Sequence, residues 1–285
     1  MPLQTLEALP PGLLVLLTGL LSLMVGSFLN VVIYRLPLIL EREWFAELEQ
    51  PWTSPAPHGP ALNIMRPASH CPMCGQPIPP YRNIPLISFL LQGGYSHCCA
   101  QRIPWRYPLI ELLAAVTGSV LALKFGASMT LLWALSACWL LIALSAIDSQ
   151  HLILPDILVY PLLWLGLLIN IDATFVTLEH AVLGAVFGYS TLWGCYWLFK
   201  LATGKEGMGH GDFKLLAALG AWFGWQALPA IILIACCAGI VFGLGGMLVK
   251  ALQRDTPIPF GPFLAVGGLA VLLGGTETIR LFLYL

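Results

Sequence analysis

The chain has 285 residues, of which 58% are hydrophobic and 9% charged, and its mean hydropathy is +0.84. Soluble domains carry about 25% charged residues, so the composition excludes an ordinary soluble globule and places the chain in a membrane. The net charge of −1 lacks the basic footprint that a nucleic-acid partner requires.

Apolar runs of about 17–25 residues read as spanning helices. Eight such runs are centred near residues 12–34, 107–123, 129–147, 152–170, 178–199, 212–226, 228–249 and 261–283. They do not alternate apolar and polar residues as barrel strands do. The expected fold is therefore an all-α polytopic membrane protein of about eight transmembrane helices with one cysteine-containing insert. The opening MPLQTLEALPP has no Lys or Arg, so no cleavable signal peptide is expected, since its n-region would be basic.

In chain order, residues 1–34 hold the first spanning helix, 35–106 the insert, and 107–285 a core of about seven helices. The insert begins with LILEREWFAELEQPW, whose apolar residues recur at helical spacing among charges, as in a stretch lying along the membrane surface. TSPAPHGPALNIMRPASH follows and reads as turn and loop. Next comes CPMCG, with Cys71 and Cys74, and then a second half-site at Cys98 and Cys99. Paired cysteine arms of this kind suit a tetrathiolate zinc site. The bland alternative is a set of reduced thiols in a loop that folds without metal. Adjacent cysteines reach one ion only with distortion, which keeps His97 open as the fourth ligand beside Cys98. Cys138, Cys195, Cys236 and Cys237 fall within spans and read as small packing residues.

Basic residues orient the chain. With eight spans, Arg35, Arg42, Arg66, Arg82, Arg102, Arg106, Lys200, Lys205, Lys214, Lys250 and Arg254 share one side, against Lys124 and Arg280 on the other. The insert is thus expected in the cytoplasm and both termini outside. Two cytoplasmic turns carry an aspartate at the membrane boundary, Asp148 in SAIDSQHLILPD and Asp212 in GMGHGDFKLLAALGAW.

Carboxylates at membrane depth are costly and invite a functional reading. Glu111 has a structural explanation, pairing with Arg106 or snorkelling, and Asp156 suits a cap or first helical turn. Asp212 alone would also read as a cap. Asp148 is harder to explain, because it ends a helix, where the dipole disfavours a carboxylate. Together the two supply a base for water and an acid for a leaving amine. Gly209 and Gly211, lacking Cβ atoms, would let an extended substrate approach, with Lys214 beside them. No G-x-S-x-G elbow or H-E-x-x-H zinc site competes. Opposite helix ends at the two aspartates would leave the shared proton mainly on Asp148, with Asp212 as the base. Rival readings are a proton-coupled transporter and a non-catalytic assembly scaffold.

GSFLNVVIYRLP at 26–37, CPMCG at 71–75, YRNIPLISFLLQGG at 81–94, RYPLIE at 106–111, IDSQHLILPD at 147–156 and GMGHGDFKLLAALGAW at 207–222 together resemble the type IV prepilin peptidase family. The resemblance implies a bacterial inner-membrane aspartic protease of the G-x-G-D kind with Asp148 and Asp212 as its catalytic pair. It also implies prepilin and pseudopilin substrates, cut after a short basic leader, and N-methylation of the new terminus with S-adenosylmethionine. Gly93 and Gly94 are then candidates to line the methyl-donor site. The family pattern has C-x-x-C at the second half-site, whereas this chain has Ser96 at the first of those positions and Cys99 at the second.

Overall fold

Inside lipid a backbone can satisfy its polar groups only in helices or closed barrels. Each apolar run is largely helical over its described residues in the computed structural model, which describes residues 10–48, 63–71, 74–205, 207–249 and 257–275. The helices are α1 (Pro11–Leu48), α2 (Ile87–Leu91), α3 (Arg106–Phe125), α4 (Met129–His151), α5 (Asp156–Ile169), α6 (Leu178–Thr203), α7 (His210–Phe223), α8 (Leu228–Leu248) and α9 (Gly261–Gly274). Among the described residues there is no strand, only isolated bridges at His70–Pro77 and Tyr95–Arg102.

Five stretches are long and apolar enough to cross a membrane: Pro11–Ala46, Arg106–Phe125, Met129–His151, Leu178–Thr203 and Trp225–Leu248. Of the other three expected spans, α5 and α7 are shorter than these. Helices α5 and α7 have 14 residues each, or about 21 Å at 1.5 Å per residue, against a hydrocarbon core of about 30 Å; α9 has 14 among the described residues. Asn170 ends α5 early: its side chain donates to Ala221 O and Trp222 O and accepts from the N–H groups of Phe175 and Val176. Gly224, at φ +78°, ends α7. Residues 276–283 of the last expected span, with Lys250, Arg254 and Arg280, lie outside the described residues.

A second correction concerns the stretch after residue 34. It is not a separate surface helix, because α1 continues through Pro37 to Leu48. Ile33 and Leu36, in the turn that ends at the proline, are buried, so packing holds the helix together where one ladder bond is lost. The Pro-rich stretch up to residue 62 lies outside the described residues.

The chain divides into two compact units, 1–128 and 129–285. In the first, α1 lies against α3 at two glycines seven residues apart. A Cβ on Gly26 would come 2.9 Å from Glu111 Cα, and one on Gly19 2.5 Å from Ser119 Oγ. Small residues on one face let the two backbones approach, as membrane helix pairs require.

The second unit is built around α7. Phe213 and every residue from Leu215 to Phe223 are buried, so this helix is enclosed on all sides, as its all-round apolarity demands. Gly184 and Gly188 of α6, four apart, meet α7: a Cβ on Gly184 would run into Gly220 O, and one on Gly188 would lie 2.6 Å from Leu216 O. On the α5 side, Gly166 makes room for Trp222, whose Nε1–H donates to Leu162 O at 2.7 Å. Gly268 of α9 accommodates Leu219.

Candidate aspartate site and cysteine cluster

Asp148 stands in the last turn of α4 and Asp212 is the third residue of α7. Both are buried, at 5% and 7% exposure, and the charge of Asp148 acts on Asp212. Asp212 is not the N-cap. Gly209 holds that position, and the Asp212 carboxylate reaches back to the Gly209 N–H, as a carboxylate at the third helical position does in a capping box.

The site has a third side, which the sequence reading missed. Gly261, the first residue of α9, donates its N–H to Asp148 Oδ2 at 2.9 Å. Leu154 joins the two halves: a Cβ on Gly211 would lie 2.8 Å from Leu154 Cβ, and one on Gly261 would lie 3.1 Å from Leu154 Cδ2 and 2.7 Å from Asp148 Oδ2. Each carboxylate therefore sits at a helix N-terminus, Asp212 at that of its own helix and Asp148 at that of α9. This weakens the basis for assigning the shared proton to Asp148, because the N-terminus of α9 acts on it against the C-terminus of α4. The Gly-Pro pair that opens α9 marks a helix start in the sequence, not a contact with Asp148.

The other expected members of this site are placed as follows. Gly209 has only Asp212 Oδ2, at 3.7 Å, within 4 Å of where a Cβ would stand. At Gly211 the missing side chain makes room for Leu154. Lys214 Nζ donates to both carboxylate oxygens of Asp156, at 2.7 and 2.8 Å, and lies over the Tyr160 ring. Asp156 is the first residue of α5 and makes no side-chain cap; the N-cap is Pro155. Two buried carboxylates that feel each other's charge cannot readily both ionise, so the pair can offer one base and one acid.

In the first unit, two ribbons share one backbone pattern. Cys71 N–H donates to Gln76 O at 2.8 Å and Gly75 N–H to Cys71 O at 2.9 Å, with Gly75 at φ +71°. Ser96 N–H donates to Gln101 O at 2.7 Å and Ala100 N–H to Ser96 O at 2.8 Å, with Ala100 at φ +51°. Ser96 thus occupies the place of Cys71, and Cys99 that of Cys74. Cys98 supplies the thiol that Ser96 lacks. The sulfurs of Cys71, Cys74, Cys98 and Cys99 lie within 4.8 Å of one another, with Cys71–Cys99 at 3.7 Å, Cys74–Cys98 at 3.2 Å and Cys98–Cys99 at 3.9 Å. Adjacent cysteines do converge here, and His97 is exposed and not part of the group. The Cys74 thiol is pushed up to about 12: the Gln76 backbone N–H lowers it, but hydrogen bonding with Cys98, burial and Cys71 outweigh that. A cation among the four sulfurs reverses this by stabilising the thiolates. The cluster can therefore hold a metal ion.

Beside these ribbons the same unit contains a cavity of about 510 Å³, bordered by α1, α2, α3 and the cysteine loops. Gly93 and Gly94 do not line it. Both have positive φ, +61° and +78°, and serve the turn before the second ribbon. Glu111, which the sequence reading gave to Arg106 or the interface, makes no ion pair among the described residues. It is buried, accepts the Leu86 N–H at 2.9 Å and the Ser27 hydroxyl, and lines the cavity.

Fold and sites together define a multi-pass helical membrane protein with a buried aspartate pair and a four-cysteine cluster. The bacterial peptidase A24 N-terminal domain matches residues 20–125 and the type IV leader peptidase family matches residues 135–244. A prepilin leader peptidase/N-methyltransferase of Pseudomonas aeruginosa is 48% identical over 99% of this chain and 98% of the relative. Proteins of the same name from Aeromonas hydrophila and Burkholderia pseudomallei are 49% and 47% identical, over 96% of this chain in each case and 95% and 90% of the relatives. No solved structure matches the chain. The chain belongs to the type IV leader peptidase family.

Proposed function

We propose that the protein is a prepilin leader peptidase and N-methyltransferase of the bacterial inner membrane. It removes the short basic leader of type IV prepilins and pseudopilins and methylates the new N-terminus. One observation carries the proteolytic half: Asp148 and Asp212 are buried together at helix ends, in a chain almost half identical to relatives of that name over nearly its full length.

The ionised carboxylate of the pair takes a proton from water as the oxygen attacks the scissile carbonyl. The protonated one then gives its proton to the leaving amine. Gly261 N–H holds Asp148 in register, Gly209 leaves its side of Asp212 open to an extended substrate, and Lys214 lies on the approach. Counted with all eight apolar runs crossing, the uneven distribution of Lys and Arg supports a cytoplasmic active side with both termini periplasmic.

The cysteine cluster suits zinc. A Zn–S bond of about 2.3 Å in a tetrahedron sets sulfur–sulfur distances of about 3.8 Å, close to those at Cys71, Cys74, Cys98 and Cys99. The ion would tie the two ribbons together as a structural centre. S-adenosylmethionine supplies an activated methyl group. The cavity beside the cluster has the size of an ordinary small-molecule site, about 300–1,000 Å³, and polar side chains to orient the ligand.

The test is the intact mass of a prepilin-like substrate after incubation with purified protein and S-adenosylmethionine. The wild-type chain should remove the leader and add one methyl group. Asp212→Asn should leave the precursor whole while inserting in the membrane as well as wild type. Cleavage by the variant would reduce Asp212 to a cap and remove the protease reading.

A further inference from the structure

Two oppositely charged side chains, one on each principal helix of the first unit, are buried on the wall of the cavity. Arg35 of α1 is 5% exposed and Glu111 of α3 is 8% exposed. Neither has an ionic partner among the described residues. Arg35 Nη1 donates only to the backbone carbonyls of Asn63 and Ile64, both at 3.1 Å. Glu111 is held by a backbone N–H and a hydroxyl. A buried charge left without a counter-charge is expensive, and these two buried groups face a cavity that Arg82 and Arg102 also line, a setting for a ligand that carries both an anionic and a cationic group.

Spacing on α1 separates the two ends. Ser27, which bonds Glu111, and Arg35 are eight residues apart on the face that also presents Asn30, Val31 and Tyr34 to the cavity. At 1.5 Å per residue this is about 12 Å of helix, enough for a ligand longer than an amino acid. Asn30 uses its amide to donate to Tyr107 O at 3.1 Å, which leaves its Oδ1 as an acceptor on the wall between them. Phe89 adds an aromatic face, itself fixed edge-on by Trp105 at 5.0 Å.

The geometry points to this cavity as the methyl-donor site, in which Arg35 takes the α-carboxylate of a zwitterionic sulfonium nucleoside and Glu111 faces its positive charge. The inference rests on the methyltransferase reading above and gives that activity its residues. It moves the donor away from Gly93 and Gly94. Cys71, Ser96 and Cys98 border the same cavity, which places the cysteine ribbons against the donor. A metal cluster would fix the wall against which the donor lies.

The test uses the purified full chain in detergent and equilibrium binding by calorimetry, with S-adenosylmethionine and its neutral-sulfur product S-adenosylhomocysteine as probes. Glu111→Gln keeps an acceptor for the Leu86 N–H but loses the charge. It should weaken S-adenosylmethionine by about ten-fold or more, the scale of a lost charge-assisted contact, and leave S-adenosylhomocysteine unchanged. Arg35→Gln should weaken both probes by a similar factor, because both carry the carboxylate. If both variants bind both probes like wild type, the cavity is not the donor site, although the methyltransferase reading survives. If wild type binds neither probe, that reading falls as well. Should a variant fail to fold, irradiation of the wild-type chain with an 8-azido-adenosyl analogue decides. Label within 27–35 or 69–111 supports the assignment, and label confined to 129–285 overturns it.

Discussion

Replacing Gly261 by alanine isolates the backbone contact that positions Asp148. The new Cβ would stand 2.7 Å from Asp148 Oδ2 and 3.1 Å from Leu154 Cδ2, where ordinary contact begins at 3.4 Å. The carboxylate must then retreat by about 0.7 Å (3.4 − 2.7), which lengthens its 2.9 Å bond from the Gly261 N–H. Hydrogen bonds to charged groups contribute about 1.5–3 kcal/mol, and a misplacement of this order can lower a rate about 100-fold. Leader cleavage by the Gly261→Ala protein should therefore fall by about one to two orders of magnitude with the protein still folded. The assay is single-turnover cleavage of a prepilin-like substrate in detergent, read by intact mass. Gly268→Ala is the control. Its Cβ would clash equally, at 2.5 Å from Leu219 Cδ2, but away from both aspartates, so stability should drop while the folded fraction still cuts. Cleavage by Gly261→Ala at the wild-type rate would refute the positioning role.

Other outcomes follow from the same contacts. Cys98→Ser should lower bound zinc well below one ion per chain in elemental analysis. Adding Ser96→Cys should restore it, because Ser96 occupies the place of Cys71 in the second ribbon. Zinc binding should release protons, since the Cys74 thiol, pushed up to about 12, is protonated at neutral pH before the ion arrives. Stability supplied by the ion is therefore present at neutral pH and lost as pH falls, which thermal melts with and without chelator would show. Gly184→Leu should destabilise the second unit by about 1–3 kcal/mol or more, because its side chain would enter the backbone of α7 at Gly220. A melt shifted no further than that of an exposed-position control would argue against the close approach. Trp222→Phe leaves Leu162 O without its 2.7 Å donor and should lower stability by about 1–3 kcal/mol without abolishing cleavage.

The helices were legible because long apolar runs admit only one backbone solution in lipid. Their lengths were less so. Residues 152–170 and 212–226 are as oily as true spans, but composition does not distinguish a helix bathed in lipid from one enclosed by others, and α7 is the enclosed kind. The two aspartates could be found because each stands next to a feature that disfavours or frames a carboxylate: a helix end at Asp148, and glycines at Asp212. Gly261 and Leu154 could not. Gly261 is 113 residues from Asp148 along the chain, and nothing local announces that it will donate to a carboxylate. The proton assignment lost support for the same reason, since the helix whose N-terminus meets Asp148 is distant in sequence. At the cysteine cluster, spacing alone left His97 and Cys98 both open. The repeated backbone turn, with positive φ at Gly75 and Ala100, shows which thiol fills the gap left by Ser96.

The central claim is that Asp148 and Asp212 work as one unit. Its most direct test is the rate of leader cleavage by Asp148→Asn, Asp212→Asn and the double variant, each shown to be inserted and folded. Groups that act together are strongly non-additive, so each single variant should fall to the same floor as the double. Two partial losses that simply multiply in the double variant, or substantial cleavage by either single one, would contradict the account.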